Sequence, residues 1–193
     1  MAYLPKILAF AGSTRTDSFN KKLVKIAAAG AQAAGAQVTC VDLRDFPMPL
    51  YDGDLEIKEG IPASVQKFKE ILLAHQGLLI SSPEYNSSIP GVLKNAIDWA
   101  SRALPGEAPL SCFTKKVAGL LSASPGALGG LRALVHVRTI LQNIKVLVLP
   151  DQIAVSKAHE AFNADGSLKD IKQQKSVEEL SADLVQILRK LND

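Results

Sequence analysis

Five short apolar runs, at residues 4–11, 38–43, 77–82, 116–121 and 145–149, alternate with stretches whose apolar residues recur at helical spacing. This alternation leaves few architectures open. A run such as Leu78-Leu79-Ile80 has no polar face, so it suits a strand covered on both sides. Strands separated by helices pair in parallel. The helical stretches fall at 21–36, 62–75, 91–102, 131–142 and 176–191. Pro62 fits a first helical turn, and Val177, Leu180, Leu184, Ile187 and Leu191 form a packing stripe along the last helix. The expected fold is α/β, a doubly wound five-stranded parallel sheet with helices on both faces, in one domain over residues 1–193. Residues 44–61 and 103–114 read as irregular, and so does the tail from 150 to 175. Within the first of these, Phe46-Pro47-Met48-Pro49-Leu50-Tyr51 is an apolar tip. It is expected to tuck beneath the following helix rather than to cover a pocket.

Open parallel sheets bind ligands beyond the carboxyl ends of their strands, near the point where strand order reverses. Three polar loops are expected at that end. The first, Gly12-Ser13-Thr14-Arg15-Thr16-Asp17-Ser18-Phe19-Asn20, joins a strand to a helix start. Unpaired backbone N–H groups and the helix dipole favour an anion there. The loop adds four hydroxyls, the Asn20 amide and the Arg15 cation. It matches neither the P-loop, which needs a second Gly followed by Lys and Ser/Thr, nor the dinucleotide fingerprint with its three glycines. Gly12 stands alone, so side-chain hydroxyls must supply contacts, which points to a single phosphate. By itself the loop reads equally well as a polar turn capped by Asp17 or Ser18. The convergence of three such loops favours the phosphate cradle.

The second loop, Pro83-Glu84-Tyr85-Asn86-Ser87-Ser88-Ile89-Pro90, offers an aromatic face, an amide and a carboxylate, a set suited to a flat heteroaromatic ring. The third, Ser122-Ala123-Ser124-Pro125-Gly126-Ala127-Leu128-Gly129-Gly130, permits close backbone approach through its glycines. In isolation it reads as structural.

Composition narrows the function classes. Hydrophobic residues make up 47% and charged residues 21% of 193, a soluble globular balance. No apolar stretch has transmembrane length, and the amino terminus lacks the charged-then-apolar plan of a leader. A membrane partner is therefore not expected. Cys40 and Cys112 have no metal-ligand spacing and suit reduced thiols in a cytoplasmic protein; no metal site is expected. The net charge of +3 comes from scattered residues without interleaved aromatics, so no nucleic-acid partner is expected. Nor is there an isolated basic cluster of the kind that binds a nucleotide 2′-phosphate.

The three loops, in their order and spacing, resemble the NAD(P)H-dependent FMN reductase family, which includes quinone, azo-dye and chromate reductases. The likeness covers about residues 4–150 and is extended by Ile89-Pro90-Gly91-Val92-Leu93-Lys94-Asn95-Ala96-Ile97-Asp98-Trp99. It implies a flavodoxin-like fold with strand order 2-1-3-4-5 and bound FMN, with NADPH or NADH as electron donor. Carried over residue by residue, it implies that Ser13, Arg15, Ser18 and Asn20, with Phe19 in the same set, surround the FMN phosphate. Pro83, Glu84, Tyr85 and Asn86 would run along the isoalloxazine ring, and Ser124 and Gly126 would lie on its far side. The family often has Gly where Ser87 stands; a positive φ at that position would cost Ser about 1 kcal/mol.

The resemblance implies that the flavin carries the chemistry. NAD(P)H would give a hydride to N5 and leave, and a quinone, azo compound or similar acceptor would then collect two electrons by a ping-pong route. No side chain is expected to act as catalytic acid or base. His75, His136 and His159 are distant from the three loops in sequence and read as surface or packing residues. Two alternatives remain open at this point: a flavin reductase that supplies reduced FMN to a monooxygenase, and a flavodoxin-type electron carrier. Carriers of that type are usually strongly acidic, unlike this chain. Relatives of this kind form homodimers or homotetramers, which implies the same here.

Overall fold

The structure, a computed structural model, describes residues 3–192. Five strands form one parallel sheet: β1 (Lys6–Ala11), β2 (Gln37–Val41), β3 (Gly77–Ser81), β4 (Val117–Ala123) and β5 (Leu147–Val155), in the order β2-β1-β3-β4-β5. The alternation seen in the sequence thus builds the expected sheet, with the expected strand order. Successive side chains point to opposite faces, and both faces are covered. Ile7, Ala9 and Leu79 pack with helices α1 (Phe19–Ala33) and α6 (Ile171–Asn192). Leu8, Phe10, Leu78 and Ile80 pack with α3 (Ala63–Leu73), α4 (Gly91–Ala100) and α5 (Leu131–Asn143). Strand order reverses between β1 and β3, each paired in register with the other. Among the described residues no helix is long and apolar enough to cross a membrane.

Three stretches differ from expectation. The first is 44–61, which a 3₁₀ turn (Leu43–Asp45) enters and which contains a helix, α2 (Gly53–Glu59). The α2 helix starts at Asp52, whose side chain accepts from Asp54 N–H, and ends at Gly60 with φ 76°. None of its residues is buried, so it has no apolar period to be read. The neighbouring tip does tuck inward. Phe46 packs on Phe68 at 5.3 Å and Tyr51 meets Trp99 edge-on at 5.0 Å. The Pro49 carbonyl accepts from Asn95 Nδ2 and Trp99 Nε1, both at 2.8 Å.

The second is β5, which continues through Pro150 to Val155. Proline cannot donate to a ladder and usually ends a central strand, but an edge strand spares that N–H. β5 is such an edge, and the register jumps there: Val148 pairs Ala118, whereas Gln152 pairs Leu120. The third is α6, which begins at Ile171, before its apolar stripe. Val177, Leu180, Leu184 and Leu188 are buried, whereas Leu191 is exposed. Residues 156–170 fold back against the sheet's carboxyl end. Phe162 stacks on Phe19 at 6.1 Å, and Ala158 N–H donates to the Ser124 carbonyl at 3.1 Å.

Candidate functional site

The three loops converge beyond the carboxyl ends of β1, β3 and β4 and share one cleft. Ser13, Arg15, Ser18, Phe19, Asn20, Pro83, Glu84, Tyr85 and Ser124 all line it, together with Ala123 and Pro125. Its enclosed space is about 70 Å³. Of the residues that the resemblance assigns to the cofactor, Asn86 and Gly126 fall outside this lining, although each belongs to a loop that forms it.

Backbone ties hold the loops together at their roots. Gly12 N–H donates to the Ser81 carbonyl at 2.9 Å, and Ser82 N–H to Leu121 O at 2.8 Å. A side chain at Gly12 would meet Leu93 Cδ2 at 2.9 Å, so the first loop lies close upon α4. Asn20 completes the clamp from a position 1% exposed. Its Oδ1 accepts from Ser81 Oγ at 2.8 Å and Ala123 N–H at 2.9 Å, while its Nδ2 donates to Ala123 O at 2.8 Å. Most of the Asn20 amide is therefore engaged within the protein. Its role in joining the loops was not visible in the sequence, because the partners are 61 and 103 residues away.

The donors that remain free are those of the first loop. Ser13 and Ser18 are buried hydroxyls. Ser18 is the N-cap of α1, yet its side chain makes no capping bond, so the N–H groups of Phe19 and Asn20 keep their capacity to donate, whereas that of Lys21 donates to the Ser18 carbonyl at 3.1 Å. Arg15 lies 5.7 Å from the Phe19 ring, in cation–π range. No ion pair involving Arg15 occurs among the described residues. An uncapped helix start, two hydroxyls and an unpaired guanidinium are complementary to a phosphate.

The second loop is a two-residue hairpin. Tyr85 and Ser88 exchange backbone bonds at 2.9 and 3.1 Å, and Asn86 and Ser87 have φ values of 50° and 65°. Positive φ at both central residues is the type I′ geometry, so Ser87 carries the strain expected of a non-Gly residue. Ser87→Gly is expected to raise stability by about 0.5–1 kcal/mol, the relieved strain exceeding the entropy that Gly loses on folding. Denaturant unfolding of the two proteins measures it, and a loss of stability would refute the strain.

Glu84 lines the cleft, and its carboxylate is committed to the start of α5. The carboxylate accepts from Arg132 N–H at 3.1 Å and Ala133 N–H at 3.4 Å, and pairs with the Arg132 guanidinium at 2.6 Å. It thus caps α5 and latches the second loop to the third. Burial alone would raise its carboxyl, but the Arg132 and Ala133 bonds and the Arg132 charge outweigh this and hold it below the usual carboxylate range. The latch therefore survives at any pH above that range. Tyr85 is half exposed at the cleft mouth.

Two further residues reach the site without a local signal. His136 Nδ1 lies 2.8 Å from Ser88 Oγ, so a histidine remote in sequence is adjacent to the second loop in space. Arg44 reaches the first loop from the end of β2. His75 is buried, its ring bonded to Ile71 O and Thr39 Oγ1 at 2.6 and 2.7 Å, and His159 is exposed beside Glu160. These two keep the packing and surface roles expected of them.

Comparison with known proteins agrees with this geometry. The family model described as NADPH-dependent FMN reductase matches residues 5–160. An NAD(P)H-dependent FMN reductase of Pseudomonas aeruginosa is 38% identical over 175 residues, covering 90% of each chain. A quinone reductase of Escherichia coli K12 is 38% identical over 148 residues, covering 75% of this chain and 73% of its own. Among solved structures, the flavoenzyme NAD(P)H:acceptor oxidoreductase of Paracoccus denitrificans superposes with a TM-score of 0.81 at 30% identity, covering 97% of this chain and 98% of that one. By sheet order, by the three loops and by sequence, the chain belongs to the NADPH-dependent FMN reductase family.

Proposed function

We propose that the chain binds FMN across its three loops and, with NADPH or NADH as donor, reduces a quinone, azo compound or similar small acceptor. One observation carries the reading: the cleft holds a phosphate-type donor set, made of Ser13, Ser18, Arg15 and the uncapped start of α1, while the carboxylate that lines it, Glu84, is already engaged by Arg132 and Ala133. FMN, when bound, supplies hydride chemistry in a two-step exchange, donor first and acceptor second.

The residues divide into those that hold the cofactor and those that hold the loops. Ser13, Arg15, Ser18 and the α1 amides take the phosphate, with Phe19 shielding Arg15. Pro83, Tyr85 and Asn86 run along the ring, and Ser124 and Gly126 take its other side. Asn20 and Glu84 fix the loops against one another, and Asn20 keeps one amide hydrogen for the phosphate. A space of about 70 Å³ lies far below the roughly 300–1,000 Å³ of sites that enclose a whole ligand. A ligand the size of FMN would therefore lie partly outside the cleft, open to a second substrate. No side chain is assigned an acid or base step.

Homo-oligomers, dimers or tetramers, complete the proposal. Leu128, Leu131 and Val135 are exposed at and after the third loop, as is Tyr85 in the second, apolar side chains that a second copy would cover. The free thiols Cys40 and Cys112 suit a cytoplasmic setting.

The test is a visible spectrum of the purified protein with FMN added, repeated after anaerobic NADPH and after NADH. Flavin bands that persist through gel filtration and bleach with either donor, without a lasting radical signal, are expected. Bands unmoved by both donors would overturn the reductase reading, and absence of bound flavin would overturn the cofactor. Arg15→Ala is expected to weaken FMN binding by about tenfold or more, the scale of one charge-assisted phosphate contact. Reduction of the loaded variant by NADPH should change far less. Unchanged affinity in a fluorescence titration would remove Arg15 from the phosphate site.

A further inference from the structure

The first loop has little internal structure of its own. Residues 14–17 are exposed, and the bond within the loop is Arg15 N–H to Ser13 Oγ at 3.3 Å. Among the described residues, the side chain that bonds residues 13–17 from outside them is Arg44. Its Nε donates to the Thr14 carbonyl at 3.1 Å and its Nη2 to Thr16 Oγ1 at 3.0 Å, with a second, shorter bond from Nη2 to Thr14 O. The guanidinium therefore bridges the two neighbours of Arg15.

Arg44 is itself held in place. Asp42 Oδ1 accepts from Arg44 N–H at 3.0 Å, and Asp42 Oδ2 accepts from Lys21 Nζ at 2.5 Å. Lys21 lies in the first turn of α1, at the far end of the loop. The chain Lys21–Asp42–Arg44 runs from the helix start, through the end of β2, to the middle of the loop. The planar, five-donor fork of Arg suits a two-point clamp that a lysine cannot reproduce.

We propose that Arg44 is a positioning residue that sets the shape of the first loop, and thereby the preference for a phosphorylated flavin over riboflavin. The inference rests on the phosphate-cradle reading. A loop of exposed residues without external ties must be ordered when the phosphate binds, and that ordering subtracts from affinity. The clamp provides the order beforehand. Arg44 holds the loop through Thr14 and Thr16, so its loss should be felt by FMN and not by riboflavin, which has the same ring and ribityl chain but no phosphate.

The experiment measures affinities of FMN and riboflavin, by quenching of flavin fluorescence, for the wild type, Arg44→Ala and Arg44→Lys. The wild type should prefer FMN. In Arg44→Ala the FMN affinity should fall by about tenfold, the equivalent of one well-made charge-assisted bond, while riboflavin affinity stays within twofold. Arg44→Lys should recover part of the loss. A variant that keeps the wild-type ratio of the two affinities, or loses both equally, overturns the role of Arg44 and leaves the cradle standing. A wild type that does not distinguish the two flavins overturns the cradle and this inference with it.

Discussion

Gly130→Ala is expected to destabilise the protein by about 3 kcal/mol, and so to lower its melting temperature by roughly 10 °C. Gly130 has φ 92°, in the left-handed region, where a side chain costs about 1 kcal/mol or more. There is also no space for the methyl. A Cβ built there lies 1.8 Å from Ser122 Oγ and 2.9 Å from Ser122 Cβ, and overpacking of a filled site adds about 1–3 kcal/mol. Turning the unpartnered Ser122 hydroxyl away would relieve the first contact but not the second, because the Ser122 Cβ is fixed by the β4 backbone. The damage should spread to the cleft, because Gly130 is the N-cap of α5, the helix that Glu84 holds. The paired change Ser122→Gly should recover the packing part of the loss and leave the backbone part. Gly126→Ala is the control: its nearest neighbour would be Ser124 Oγ at 3.9 Å, and its stability should change by under about 1 kcal/mol. Thermal melts of the four proteins decide it, and a Gly130→Ala variant that melts with the wild type would refute the steric argument.

This glycine also shows where sequence reading stops. The Gly129-Gly130 pair is visible in the sequence as a permissive turn, but what it permits is a contact with Ser122 and the backbone of residues 154–156, which no local spacing announces. The strands were legible because a run such as Leu78-Leu79-Ile80, buried on both faces, has no other use in a water-soluble chain. The α2 helix was not legible, since none of its residues is fully buried and Leu55 alone packs against the core, too little for an apolar period. β5 was cut short at Pro150 because the sequence does not tell an edge strand from a central one. The site residues follow the same division. Ser13, Arg15 and Ser18 belong to one strand-to-helix loop, whose chemistry is local. The uses of Glu84 and Arg44 depend on Arg132 and Thr14, 48 and 30 residues away, and exist only once the sheet has brought the loops together. The same holds for His136, whose distance from the second loop along the chain conceals its bond to Ser88.

Asn20→Ala should be nearly as damaging as the glycine change, and it separates two roles that one residue can hold. If Asn20 only met the phosphate, its loss would weaken FMN binding and leave the cofactor-free protein as stable as before. As the clamp between α1, β3 and β4, its loss leaves Ser81 Oγ and the Ala123 N–H and carbonyl without their partner in a dry interior. Each buried polar group stranded in this way costs about 1–3 kcal/mol. The expected loss for the cofactor-free protein is about 3 kcal/mol, read from urea unfolding. Asn20→Asp sharpens the test. Aspartate keeps the oxygen that accepts from Ser81 and Ala123 N–H, but replaces the donor to Ala123 O with a second acceptor and buries a charge. It should therefore be no more stable than Asn20→Ala at neutral pH. A partial recovery is expected as the pH falls and the buried acid takes up a proton, since it can then donate again to Ala123 O. Retention of full apo stability in both variants would return Asn20 to the phosphate alone and leave the joining of the three loops to their backbone bonds.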